Sequence, residues 1–111
     1  MVVRVKYRLF RNVPGCVLGV AFFNTKKDML SGLNTRVDKV SVGERAGEHC
    51  WDLRFPAFPF VNGEYNVDVG VFDEQALGRA DYRSYAAAFT MAGEYDGGGV
   101  LVIEHRWVSG E

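Results

Sequence analysis

The 111 residues, 48% of them hydrophobic and 24% charged, suffice for one domain around one core. A formal net charge of -1 with both signs interspersed argues against a surface built to grip nucleic-acid phosphates. No apolar run approaches the roughly 18 residues a membrane helix needs, and the N-terminus lacks the continuous apolar stretch of a signal peptide.

The dominant pattern is alternation with period two. Val3, Val5, Tyr7 and Leu9 alternate with Arg4, Lys6 and Arg8, which predicts a half-buried strand whose basic side, continued by Arg11, is a solvated face. Val13-Pro14-Gly15 is a turn signal. Residues 16–24 are nearly all apolar and read as a central strand covered on both faces. A polar hairpin over 25–28 leads to a short returning strand over 29–35. Residues 37–47 are rich in turn formers and can hold a strand at Val40 and Val42. Residues 50–55 alternate, with Trp51, Leu53 and Phe55 on one side and Asp52 and Arg54 on the other. Pro56 and Pro59 stop the pairing, because proline has no N–H to give, and Phe58 and Phe60 plug the core across that loop.

Asn62-Gly63 is a turn dipeptide opening the clearest inward stripe, Tyr65, Val67, Val69 and Val71, with Asn66 and Asp68 facing the other way. Residues 73–79 form a polar connection with room for one helical turn. Tyr85, Ala87 and Phe89 have strand spacing, against a weak helical signal from Ala86-Ala87-Ala88. A glycine-rich loop over 93–99 precedes a long final strand over 100–108, in which Leu101, Ile103, His105 and Trp107 oppose Val102, Glu104 and Arg106. Seven or eight short strands with no amphipathic helix predict an all-β antiparallel sandwich of immunoglobulin-like or jelly-roll type, one domain over 1–111.

Catalytic and cofactor motifs do not emerge. There is no phosphate-binding glycine loop, and Gly97-Gly98-Gly99 lies between strands rather than at a strand-to-helix turn. His49 and His105 have no metal-ligand spacing, Cys16 and Cys50 read as two buried thiols of a reducing cytoplasm, a disulfide between them needing an oxidising compartment, and no cofactor or metal is expected. Asp73-Glu74 and Glu94-x-Asp96 are loop carboxylates, solvated by default. The aromatic content is 14%. Tyr and Trp present an apolar plate with a polar edge, which suits the C–H face and hydroxyl rim of a pyranose. Trp51, Tyr65, Tyr82, Tyr85, Tyr95 and Trp107 are the aromatic candidates, each also suited to core packing.

Along nearly the whole chain runs an ordered set of blocks: Gly19 to Asn24 followed by Gly32-Leu33-Asn34-Thr35, then Gly43-Glu44, then Asn62 to Val69, then Phe72-Asp73 and Tyr82, and last Gly99-Val100-Leu101 with His105-Arg106-Trp107. In that order they resemble the C-terminal carbohydrate-binding domain of Wzt-type ATP-binding proteins from O-antigen polysaccharide ABC exporters. The resemblance implies a non-catalytic module that recognises the capped non-reducing end of the polysaccharide. It also implies a homodimer, strand-swapped in some members, and a cytoplasmic place at the inner face of the inner membrane beside a transporter subunit. The ATP-hydrolysing part of such a subunit is absent from these residues. The expected carbohydrate-binding set is Asn66, Asp68, Trp51, Tyr82, Arg83, Tyr85 and Arg106. The two arginines could meet an acidic sugar or phosphate cap, or could instead pair across strands with Asp68 or Glu104. The alternative is a structural domain acting through protein–protein contacts.

Overall fold

The computed structural model describes residues 1–72, 79–93 and 96–110, the side chains at 79–86 and 88 excepted. It is all-β and antiparallel, as the alternation predicted. Six strands stand among the described residues: β1 (Val2–Leu9), β2 (Val17–Asn24), β3 (Met29–Asn34), β4 (Gly47–Arg54), β5 (Gly63–Phe72) and β6 (Arg79–Met91). They form a two-stranded sheet, β1-β4, and a four-stranded sheet in the order β3-β2-β5-β6.

Strand β1 behaves as its sequence demands. Val5, Tyr7 and Leu9 are buried while Arg4, Lys6 and Arg8 are exposed. On that outer side the Arg4 guanidinium grips Asp52 of β4 with two hydrogen bonds, of 2.8 and 3.0 Å. Arg54 adds a second ion pair to the same carboxylate at 3.6 Å. Asp52 is therefore held below the ordinary carboxylate range, chiefly by the Arg4 hydrogen bond.

Between the sheets lies an aromatic cluster centred on Phe22, which is 1% exposed. Phe55, Phe58, Phe60 and Phe89 meet its ring edge-to-face at 5.8, 5.3, 5.7 and 6.1 Å. Such geometry suits the ring quadrupole. Phe58 and Phe60 are thus core plugs, as expected of the 55–60 loop. Tyr65 closes the cluster and donates its hydroxyl to the Val61 carbonyl at 2.6 Å.

Two turns are fixed by asparagine. Asn24 Oδ1 accepts the amides of Lys26 and Asp28, both at 2.9 Å, around Lys27 at φ 68°. Asn62 accepts from the Gly93 amide at 2.8 Å and donates to its carbonyl at 3.2 Å, fastening the end of β6 to the start of β5.

The resemblance block Gly43-Glu44 is a structural knot. The Tyr7 hydroxyl donates to the Gly43 carbonyl at 3.0 Å. The His49 ring stacks on Tyr7 at 5.0 Å and lies where a Cβ on Gly43 would fall, 2.0 Å from His49 Nδ1. Glu44 accepts the Gly15 amide on its carboxylate at 2.6 Å and the Val13 amide on its carbonyl at 2.8 Å. Burial in this knot pushes the Tyr7 phenol up to about 12.

Two expectations are corrected. Val40 and Val42 form no strand: Val42 is a core residue, 5% exposed, on an irregular segment. The final strand over 100–108 is not formed either. In this segment Leu101 makes a single bridge to Phe60, and Ile103, Trp107 and Val108 are 75%, 93% and 73% exposed. The alternating pattern exists, but no described strand offers it a ladder. This leaves six strands among the described residues rather than seven or eight. The molecule is accordingly long, 60 × 31 × 22 Å with a radius of gyration of 16.7 Å, against about 13 Å for a compact chain of this length. The proposed helical turn over 73–79 lies almost wholly outside the described residues.

Candidate functional site

The register of the large sheet sorts its residues by face. Opposed pairs on β2 and β5 are Leu18–Val71, Val20–Val69 and Phe22–Val67 toward the core, and Val17–Phe72, Gly19–Gly70, Ala21–Asp68 and Phe23–Asn66 away from it. Adjacent β3 sets Asn34 beside Gly19 and Gly32 beside Ala21. The backbone of Tyr82 on β6 pairs with Gly70, and that of Ala88 with Asn66.

The outer face thus has a row of small residues, Gly19, Ala21, Gly32 and Gly70, flanked in register by Phe72 and Phe23. The Phe72 ring leans over Gly19, where an added Cβ would approach its Cε2 to 3.2 Å. This face brings small residues and aromatic rings together on one surface, with Gly70 buried and Gly19 beneath the Phe72 ring. Asn66 and Asp68 project from it, the face they were assigned. Asn66 is half-buried and available. Asp68 is only 6% exposed and is already engaged, so it acts from within a packed arrangement rather than as a free surface carboxylate.

The other expected site residues scatter. Tyr82 falls in the small-residue row by its backbone pairing. Arg83 pairs with Val69, a core-facing position. Tyr85 lies in the segment 84–86 that opposes Asp68 where the β5–β6 register slips between Val67 and Val69. The side chains of all three, and Tyr95, are outside the described residues. Arg106 is exposed on the C-terminal segment, away from any ladder.

Trp51 sits elsewhere. It opposes Val5 on the inner side of the small sheet and is 37% exposed. There it lines a cavity of about 250 Å³ at the side of the sandwich, between β4 and the edge of the large sheet. Sequence reasoning did not see this cavity, because Trp51 alternates like a core residue and nothing local reveals that β4 is an edge. Asn34 and Thr35, which border the cavity, also serve the backbone. Asn34 Oδ1 accepts the Val37 amide at 2.8 Å and Thr35 Oγ1 accepts the Leu18 amide at 3.0 Å. Among the described residues no group of three or more His, Cys, Asp or Glu could hold a metal ion.

Comparison with known proteins fits this architecture. Residues 1–102 match the family described as the Wzt C-terminal domain. Among curated proteins, none matches the sequence. A solved structure, described as the crystal structure of the C-terminal domain of wzt, superposes with a TM-score of 0.74 at 16% identity. The match covers 97% of this chain and 67% of that one.

Proposed function

The chain belongs to the Wzt C-terminal domain family, and on that premise we propose that residues 1–111 form a carbohydrate-binding domain of an O-antigen export system. It recognises the capped non-reducing end of the polysaccharide and breaks no bond. The observation that carries the reading is this outer face: a row without bulky side chains, flanked by Phe23 and Phe72, and the polar groups of Asn66 and Asp68 held on a central strand. Polar groups on a rigid strand meet sugar hydroxyls with little reorganisation. Tyr82 and Tyr85 contribute stacking, and Arg106 meets an acidic cap where the glycan carries one. In the full exporter the domain acts at the cytoplasmic face of the inner membrane, joined to an ATP-hydrolysing part and a membrane subunit.

The test is binding to an array of O-antigen polysaccharides, with and without their terminal caps. The wild-type chain binds a capped glycan saturably and its uncapped form at least tenfold more weakly. Ala21→Trp, which blocks that face, and Asn66→Ala, which removes a polar group, both lower the affinity while thermal unfolding stays cooperative. Binding that is indifferent to both variants would remove the face from the reading.

A second reading rests on a separate observation, the alternating apolar side chains Leu101, Ile103 and Trp107 exposed on the C-terminal segment. Such a segment fits a homodimer in which that strand is exchanged between protomers. Light scattering after chromatography then gives twice the chain mass, and Trp107→Ser shifts the equilibrium toward monomer.

A further inference from the structure

The inter-sheet cavity at Trp51 is separate from the outer face and has a chemistry of its own. Leu18, Val20 and Leu33 of the large sheet and Val5, Leu53 and Trp51 of the small one make its walls apolar. These are core-type side chains, yet the space among them is left open, about eight waters' worth at ~30 Å³ each. The indole of Trp51 stands at the lip, partly exposed, and offers the cavity its apolar plate.

The mouth is polar and pre-set. The Asp38 amide donates to the Asn34 carbonyl at 3.2 Å and the Val40 amide to the Thr35 carbonyl at 2.9 Å, which holds the 34–40 loop in shape. Asp38 is exposed there, and its carboxylate enters neither of the two ion pairs found among the described residues. Asp52 also borders the cavity, but its carboxylate is held by Arg4 and Arg54 on the outer side of the small sheet. The lining therefore offers one open carboxylate, Asp38, and no Lys, Arg or His.

We propose that this cavity is a second ligand site, which takes a single neutral sugar with an apolar edge, a 6-deoxyhexose, with its methyl group toward Leu33 and Val20, a ring face on Trp51 and a hydroxyl on Asp38. Size limits the occupant to one sugar ring. The absence of any cation in the lining, with the Asp38 carboxylate at the mouth, rejects uronic acids and phosphate caps. The apolar wall prefers a methyl to a hydroxymethyl group, since burying an unpaired hydroxyl costs more than the contact returns. The proposal rests on the glycan-binding reading, and assigns this chain a neutral-sugar preference distinct from anything the outer face selects.

Trp51 and Trp107 give two indole N–H resonances, one at the cavity and one remote from it, so the experiment is a titration followed by nuclear magnetic resonance. Methyl α-L-rhamnoside and methyl α-L-fucoside are the probes, with methyl α-D-mannoside and methyl β-D-glucuronide as comparators. At least one 6-deoxy glycoside shifts the Trp51 indole signal along a saturating curve, mannoside does so at least fivefold more weakly, and glucuronide not at all. Trp51→Ala abolishes binding, and Asp38→Ala, an exposed loop substitution with little risk to folding, weakens it about tenfold. A Trp51 signal that no probe moves overturns the proposal, as does one that glucuronide moves equally. If sugars move the amides of Ala21 and Asn66 but not Trp51, the cavity proposal falls and the glycan-binding reading stands. If a capped polysaccharide also moves neither set, both fall.

Discussion

Replacing Gly43 with Ala isolates the knot that ties the first strand to the turn before β4. Gly43 does not have a positive φ, so alanine meets no backbone penalty there. The whole cost is steric: the new methyl would lie 2.0 Å from His49 Nδ1 and 2.3 Å from Cε1, so the imidazole must leave. Departure breaks the 2.7 Å hydrogen bond between His49 Nε2 and the Arg45 carbonyl, roughly 0.5–1.5 kcal/mol. It also ends the stack on Tyr7, roughly another 0.5–1.5 kcal/mol. Gly43→Ala is therefore expected to lose about 1–3 kcal/mol in urea unfolding, seen as a lower midpoint at unchanged m-value. His49→Ala loses the same contacts by another route, so the double variant should be no less stable than His49→Ala alone, within about 0.5 kcal/mol. Costs that simply add, or a Gly43→Ala protein with wild-type stability and an unmoved imidazole, would refute the reasoning.

Further expectations follow from the core and the charges. Phe22→Ala should remove about 3–5 kcal/mol, a large part of the roughly 5–15 kcal/mol such a domain has, and a loss below about 1.5 kcal/mol would mean the phenyl cluster is not the core. The Tyr7 phenol is raised, so the stability it carries is complete below its ordinary value near 10 and is lost as pH climbs toward about 12. Denaturation at a series of alkaline pH values should show that loss, and Tyr7→Phe should flatten it. Asp52 is depressed by Arg4, so its contribution is present above the usual carboxylate value and fades only as acid reaches the lower folded value. A carboxyl-carbon titration of Arg4→Ala should find Asp52 moved back upward. Asp68→Ala should reduce stability as well as glycan binding, because that carboxylate is buried and engaged.

The alternation of Val5, Tyr7 and Leu9, and of Tyr65, Val67 and Val71, foretold which side chains enter the core, because a pleated strand gives each residue only two faces. The outer positions of Asn66 and Asp68 followed from the same parity. What parity could not supply was depth: Asp68 faces outward yet is covered, since burial depends on neighbours across strands. Gly43 and Glu44 were visible as a block, but their work is long-range, on Tyr7, Val13 and Gly15. The final segment shows the opposite failure. Leu101, Ile103 and Trp107 alternate as a strand should, yet a strand also needs an edge to bond to, and no described strand of this chain provides one. Trp51 was placed correctly on the Leu53 side, while the cavity beside it arises only when two sheets of unequal width meet.

The chain's two thiols differ sharply in accessibility. Cys16 is buried as expected, with burial raising its thiol, whereas Cys50, expected to be buried too, is exposed opposite Lys6, because its parity on β4 turns it to the outer side of the small sheet. A maleimide dye should therefore mark one place per molecule without any engineering. Energy transfer between two such dyes, mixed on separate batches of the protein, would report protomer pairing directly and in real time.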